Sequence, residues 1–234
     1  MEISDERIAH AVKNTEILRA PKQTLATFGM TSVYYYLLTE PAYAEVIGGY
    51  PETVIREGRV IAERPKIVTP YYLSRLEGFS KDARRYLEML AEIQGAHAPG
   101  IFYTYRNESR EFNIVSDNLQ AVADKLKTDI ERRGDPLASI IKGEDELWDV
   151  SLMKFIFEMT ASSFHNNLSE MGNLGLLKMD SRGVPADARL RIEELFSKAT
   201  RGDLDPSELK KELDHWNLFE QYEDRFFALF NKGK

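Results

Sequence analysis

The chain has 234 residues, 43% hydrophobic and 29% charged, a balance typical of a soluble globular protein that excludes an extensively disordered one. Its net charge of −7, with lysine and arginine scattered among acids, argues against a nucleic-acid partner, because binding a phosphate backbone requires a local basic surface. The absence of cysteine excludes disulfides, thiolate catalysis and cysteine-ligated metal centres, and fits a cytoplasmic location.

The N-terminal residues lack the basic start and apolar run of a signal peptide. The longest uncharged stretch, residues 23–39, contains polar and β-forming residues and is more typical of strands than of a transmembrane helix. We therefore expect no membrane insertion.

The first forty residues change from a helical to a β-forming pattern. A helix is predicted over residues 5–13, with Ile8 and Val12 facing inward. β-Forming runs then predict strands over residues 15–19, 24–28 and 32–39. The last of these is apolar or aromatic on both faces, which indicates a central strand covered on both sides.

The middle of the chain predicts two hairpins and two helices. Residues 53–56 and 59–63 flank Glu57-Gly58, a hairpin signal, and the second predicted hairpin joins 101–106 to 111–116. Two helices are predicted, one over residues 80–94 with Ser80 as its cap and one over residues 117–133. A short buried strand is predicted over residues 137–142.

A long helix follows that has two apolar faces. Trp148, Leu152, Phe155, Ile156 and Met159 share one face; Met153, Phe157, Ala161 and Phe164 share the opposite one. A helix of this kind must be covered on both faces, so we predict a buried central helix at about residues 146–168. The alternative is that one face forms a homodimer contact.

These elements predict an α+β fold with mostly antiparallel sheet from the two hairpins and the N-terminal strands. Helical patterns fill residues 184–234, and Asp205-Pro206-Ser207-Glu208 predicts the start of one helix, with Asp205 as the cap. We expect an α+β body over residues 1–172, with the helical C-terminal segment packed on it as one compact unit.

A polar stripe separates the two apolar faces of the long helix and holds the candidate catalytic residues, Lys154, Glu158 and His165. Burial would move the pKa values of such groups toward neutrality, which suits acid–base chemistry. However, seven residues separate Glu158 from His165, so their backbones lie roughly 10 Å apart. The other interpretation is a structural ion pair in a polar seam.

Acidic residues at 144–149 follow the predicted strand 137–142. Carboxylates at the carboxyl end of a strand can bind Mg²⁺ or a ligand, which makes Glu144, Asp145 and Asp149 the candidate metal ligands. Acids in the first turn of a helix also complement its dipole. We favour the dipole and expect no metal.

Two classes of function remain open. No nucleotide-binding loop, dinucleotide fingerprint, nucleophile elbow or kinase signature is present, so we assign no cofactor. Tyr103 and Tyr105 share a face that could stack nucleobases, but tyrosines in strands mostly pack. We favour a non-catalytic module that binds a protein partner or itself. The alternative is a small-molecule enzyme or ligand binder with its site between the sheet and helix 147–166.

Overall fold

The computed structural model of the chain describes residues 5–43, 50–76, 88–89 and 91–230. The helices are α1 (Asp5–Asn14), α2 (Pro70–Ser74), α3 (Leu119–Arg133), α4 (Trp148–Asn173), α5 (Ala186–Arg201), α6 (Pro206–His215) and α7 (Phe219–Ala228). The strands are β1 (Glu16–Arg19), β2 (Thr31–Thr39), β3 (Thr53–Ala62), β4 (Lys66–Val68), β5 (Gly100–Phe102), β6 (Tyr105–Val115) and β7 (Ala138–Lys142). The predicted α+β class is confirmed. Most of the helix predicted over residues 80–94, including Ser80, lies outside the described residues.

The chain forms two compact units, each built from two stretches. The first comprises Met1–Arg64 and Tyr103–Asn167, and the second comprises Pro65–Phe102 and Leu168–Lys234. The predicted domain division, an α+β body of residues 1–172 and a helical segment of residues 184–234, stays a prediction.

A five-stranded mixed sheet forms the centre of the first unit, in the order β1-β7-β2-β3-β6. Strands β2 and β7 are parallel, and each of the other neighbouring pairs is antiparallel, so the sheet is mostly antiparallel as predicted. The predicted central strand, β2, lies in the middle. Its alternate residues face two separate cores, one shared with α4 and the other with α3.

Neither predicted hairpin forms. Strand β3 continues through Glu57-Gly58, because Gly58 makes room for the Tyr35 side chain of the neighbouring strand and does not turn the chain. The second predicted hairpin is replaced by the single strand β6, which pairs with β3 along its length. Strand β5 pairs with β4 in a separate two-stranded sheet of the second unit.

Two further predictions near the N-terminus are wrong. Residues 24–28 form no strand, because this segment hydrogen-bonds to α4: the Leu25 amide donates to Ser163 Oγ over 2.9 Å. In α1 it is Ala11 that is fully buried, whereas Ile8 and Val12 are each 38% exposed. The end of α1 is fixed by Thr15, whose hydroxyl lies 2.7 Å from Ser151 Oγ. This anchor turns Ala11 inward.

Helix α4 covers the sheet with one face only. Leu152, Phe155, Ile156 and Met159 are buried against β2 and β3 residues. On the opposite face, Met153 is 62% exposed and Phe157 is 74% exposed. The prediction of a central helix covered on both faces within the subunit is therefore wrong, because the sheet and its loops reach only one side of the helix. The alternative, a contact with a second copy, stays a prediction.

The second unit has its own core around α2 and α5–α7. Phe196, Leu209, Leu213 and Trp216 are buried in it. Asp205 caps α6 by accepting a hydrogen bond from the Ser207 amide, with Pro206 in the first turn, as the sequence predicts. Within the described parts of the chain, no helix is both long and apolar enough to span a bilayer.

Candidate functional site

The polar stripe of α4 brings two of the three candidate catalytic residues together. Lys154 Nζ lies 3.8 Å from Glu158 Oε1, one helical turn away. The same ammonium donates a hydrogen bond to the Thr15 carbonyl oxygen over 2.8 Å. Lys154 is thus held on two sides, and its charge is already balanced by a carboxylate and a carbonyl.

A cavity of about 380 Å³ opens beside this pair, between β1, residues 20–24 and α4. Phe155, Met159 and Ile17 contribute its apolar part, and Glu158 and Lys22 contribute charge. A volume of this size suits a small molecule. The sequence placed Glu158 in such a site, but it gave no reason to include residues 20–24, which form neither a helix nor a strand.

His165 is not brought to that cavity. It does not belong to the lining, is exposed, and its ring lies 5.7 Å from that of Phe164, centroid to centroid. This agrees with the helical spacing, which separates the backbones of Glu158 and His165 by about 10 Å. An acid–base site on α4 would therefore use Lys154 and Glu158 without this imidazole.

Asp145 is the most strongly held of the candidate metal ligands. Its carboxylate lies 2.7 Å from Arg56 Nη2 and accepts a hydrogen bond from the Thr39 hydroxyl over 2.8 Å. Burial favours the neutral form of Asp145, but these two donors outweigh it and hold the pKa of the carboxyl below its ordinary value. Asp145 therefore has the partners of a structural anion.

The other acids of this cluster have separate partners. Glu144 Oε1 lies 2.7 Å from His10 Nδ1, and Glu146 is paired with Arg7. Asp149 accepts a hydrogen bond from the Val150 amide in the first turn of α4. Among the described residues, no group of three or more histidine, aspartate or glutamate side chains is arranged to hold a metal ion.

Local sequence patterns do not predict the group formed around Arg56. Its guanidinium carbon lies 5.2 Å from the ring centroid of Phe112 and 5.6 Å from that of Trp148, while the guanidinium also binds Asp145. Cation–π contacts of this kind join β3, β6 and the start of α4. Arg56 Nη1 donates to the Thr39 hydroxyl oxygen and Nη2 donates to Asp145, so the guanidinium also joins β2 to the segment before α4.

Tyr103 and Tyr105 pack against α4. Their rings are stacked with centroids 6.3 Å apart, and the Tyr105 hydroxyl is hydrogen-bonded to Thr160. The Tyr103 hydroxyl lies 3.2 Å from the side-chain amide of buried Asn167. Both phenols thus serve the contact between the strand region and the helix.

The uncovered side of α4, which we call the outer face, carries an apolar stripe. Its members are spaced three or four residues apart and lie on one side of the helix: Val150, Met153, Phe157, Ala161 and Phe164. Phe157 is the most exposed phenylalanine of the described chain, at 74%. An apolar stripe on a regular helix is typical of a contact surface.

The fold and these surfaces define an α+β protein with an uncovered apolar helix face beside a small cavity. Comparisons with protein-family models, with curated proteins and with solved structures found no match to this chain.

Proposed function

We propose that the protein is a self-associating module and that two copies meet through the outer face of α4. The observation that carries this proposal is the exposure of Phe157 and Met153, at 74% and 62%. Burying large apolar side chains against a partner removes their surface from water, which lowers the free energy of the system. The cytoplasmic location expected from the sequence stays a prediction.

The outer face is self-complementary when two copies of α4 run antiparallel and cross at Phe157. At that register, Met153 of one copy is level with the small Ala161 of the other, and Val150 is level with Phe164. Large side chains thus meet small ones on both sides of the central pair. A two-fold axis through Phe157 generates these contacts twice, as an isologous interface requires.

Charge favours the same arrangement. Lys154 and Glu158 lie on one flank of the outer face, and an antiparallel two-fold pairing brings that flank against itself in reverse order. Lys154 of one copy then comes beside Glu158 of the other. Such flanking pairs set helix orientation in coiled coils.

The magnitudes predict a weak dimer. Covering four large side chains, Phe157 and Met153 from each copy, contributes about 6–12 kcal/mol at about 1.5–3 kcal/mol each. Association itself costs about 4–15 kcal/mol. We therefore expect a dissociation constant of about 1–100 µM, so the dimer forms only in concentrated solution.

Sedimentation equilibrium over a concentration series tests this proposal. The wild-type mass should rise above the 26.9 kDa of one chain as concentration increases. Phe157→Ser should remain monomeric, whereas Phe227→Ser, which alters another exposed phenylalanine (51%), should associate like wild type. Lys154→Glu and Glu158→Lys should each weaken the dimer, and the double variant should restore it. A wild-type monomer at about 100 µM would refute the proposal.

The cavity beside Glu158 supports a second candidate function, the binding of a small molecule. Its apolar part and its charged rim fit a molecule that carries both an apolar body and a polar group. Ser162→Trp would fill the cavity from its rim. Native mass spectrometry of protein isolated from cell extract should show a bound small molecule in wild type that this variant lacks; an unliganded wild-type protein argues against the idea.

A further inference from the structure

A separate cavity lies in the second unit and shares no lining residue with the outer face of α4. It has a volume of about 310 Å³ and is lined by Tyr71, His97, Arg182, Trp216 and Asn217. This volume falls at the lower end of the range found for small-molecule sites. The cavity is independent of the proposed self-association.

The lining combines aromatic rings with nitrogen-based donors. Tyr71 and His97 contribute rings whose centroids are 5.6 Å apart and whose planes are tilted by 52°, and Trp216, which is 3% exposed, forms part of the wall. Arg182, His97 and Asn217 offer N–H groups. Among the described lining residues none carries a carboxylate, so this lining favours a group that accepts hydrogen bonds and carries negative charge.

Arg182 differs from the neighbouring arginines of this unit in how its guanidinium is paired. The neighbouring arginines of this unit are occupied: Arg189 is paired with Asp180, Arg191 with Glu212 and Arg225 with Glu193. Arg182, by contrast, is exposed and forms no ion pair with any carboxylate in the described stretches of the chain. Its guanidinium can bind an anion through two parallel hydrogen bonds, in a bidentate ion pair.

The backbone around the cavity holds the His97 ring close to the loop that carries Arg182. Gly183 has φ +72°, and a β-carbon there would lie 2.5 Å from His97 Cγ, so the imidazole packs directly on the glycine. Asn217, another lining residue, has φ +55°, the left-handed conformation that ends α6. The packing of His97 on Gly183 and the helix end at Asn217 fix lining residues before any ligand arrives, which lowers the entropic cost of binding.

We propose that this cavity binds a planar organic anion, an aromatic ring that bears a phosphate or a carboxylate. The ring packs against Tyr71, and the anionic group is held by Arg182 with His97 beside it. Rings and donors surround one opening, so tight binding needs both the ring and the anionic group of the ligand. An anion without a ring makes no contact with the aromatic side chains, and an uncharged ring makes no ion pair with Arg182.

Tryptophan fluorescence provides the test, because Trp216 forms part of the cavity. The chain has two tryptophans, so Trp148→Phe leaves Trp216 as the reporter. Titration of this variant with AMP and with 4-hydroxyphenylacetate covers the phosphate and carboxylate classes. At least one should change the emission saturably, and adenosine or inorganic phosphate should bind at least about tenfold more weakly than AMP if AMP is the ligand class.

The variants separate a specific site from general attraction. Arg182→Gln should weaken binding by about tenfold or more, since a charged hydrogen bond is lost. Arg201→Gln removes the same charge from an exposed arginine paired with Asp203 and should leave binding unchanged. Saturable binding that Arg182→Gln does not affect, or no response to either AMP or 4-hydroxyphenylacetate, overturns the proposal.

Discussion

The Tyr35 side chain occupies the space that a side chain at Gly58 would need. A β-carbon on Gly58 would lie 2.4 Å from Tyr35 Oη and 2.8 Å from the Glu108 carbonyl oxygen. The tyrosine ring has little freedom there, because its hydroxyl donates a hydrogen bond to Asn107. Gly58→Ala should therefore lower the free energy of unfolding by about 1–3 kcal/mol, the usual cost of overpacking. Urea denaturation of the two proteins measures this difference.

Gly100→Ala is the matched control. A β-carbon at Gly100 would meet only the Val68 carbonyl oxygen, at 3.8 Å, which is ordinary van der Waals contact. Its unfolding free energy should stay within about 0.5 kcal/mol of wild type. Equal effects of the two substitutions would show that Gly58 is not placed there for space.

Gly58 also shows where prediction from sequence stops. Glu57-Gly58 between two β-forming runs has the local composition of a turn, and the sequence contains nothing local about the Tyr35 ring that crosses the strand. The class of fold, the central position of β2 and the start of α6 depend on periodicity and capping, which are local, and these were predicted. Strand partners depend on distant residues, and they were not.

The same distinction applies to the candidate site. Lys154 and Glu158 are one turn apart, so their pairing at 3.8 Å follows from helical geometry. Arg56 and Asp145 are 89 positions apart, and only the fold brings them to 2.7 Å. Amphipathicity likewise showed that Phe157 is on an apolar face, but could not show whether the subunit itself covers that face.

Asp145 should contribute stability that depends on pH. Its folded pKa is held below the ordinary value of 3.8, despite partial burial, by Thr39 and Arg56. A carboxyl with a lowered folded pKa stabilises the protein above its unfolded pKa and loses this contribution as pH falls through the folded value. Asp145→Asn should cost about 1–3 kcal/mol at neutral pH.

Denaturation curves across acidic pH test the sign of this effect. The gap between wild type and Asp145→Asn should be constant above about pH 5 and should narrow as pH falls below 3.8. Asp149→Asn, which lacks an arginine partner among the contacts described, serves as control and should show a smaller gap. A gap that widens with acidification would contradict the assignment.

Arg191 and Glu212 form a buried ion pair, and removing only one partner should destabilise the protein more than removing the charge from both. Burial opposes the charge on Glu212, yet Arg191 keeps the pKa of this carboxyl below its ordinary value. Arg191→Met would leave a buried carboxylate without its cation, at a cost of about 3–5 kcal/mol. The loss should shrink as pH falls toward the ordinary carboxyl value of 4.5, because protonation then removes the unpaired charge.

The double variant Arg191→Met, Glu212→Gln tests the cause. Trp216 Nε1 and the Tyr72 hydroxyl each lie 3.0 Å from a different Glu212 oxygen. A glutamine can still accept from Trp216 Nε1 through its carbonyl oxygen, and its NH2 group can donate to the Tyr72 hydroxyl oxygen. It carries no charge, so the double variant should be more stable than Arg191→Met alone. The single variant Glu212→Gln completes the comparison. If chemical denaturation shows that the stability loss of the double variant equals the sum of the losses of the two single variants, the pair is not coupled as the structure indicates.

Phe155 and Phe157 provide the most direct test of the one-sided burial of α4. They are two residues apart on one helix, but Phe155 is 2% exposed and Phe157 is 74% exposed. Phe155→Ala should cost about 3–5 kcal/mol in the free energy of unfolding. Phe157→Ala, measured in dilute solution where the protein is monomeric, should change it by less than about 0.5 kcal/mol. In concentrated solution the wild type should gain stability over Phe157→Ala, because the dimer binds only the folded chain. A large loss for Phe157→Ala even at high dilution would mean that its ring is covered within the subunit.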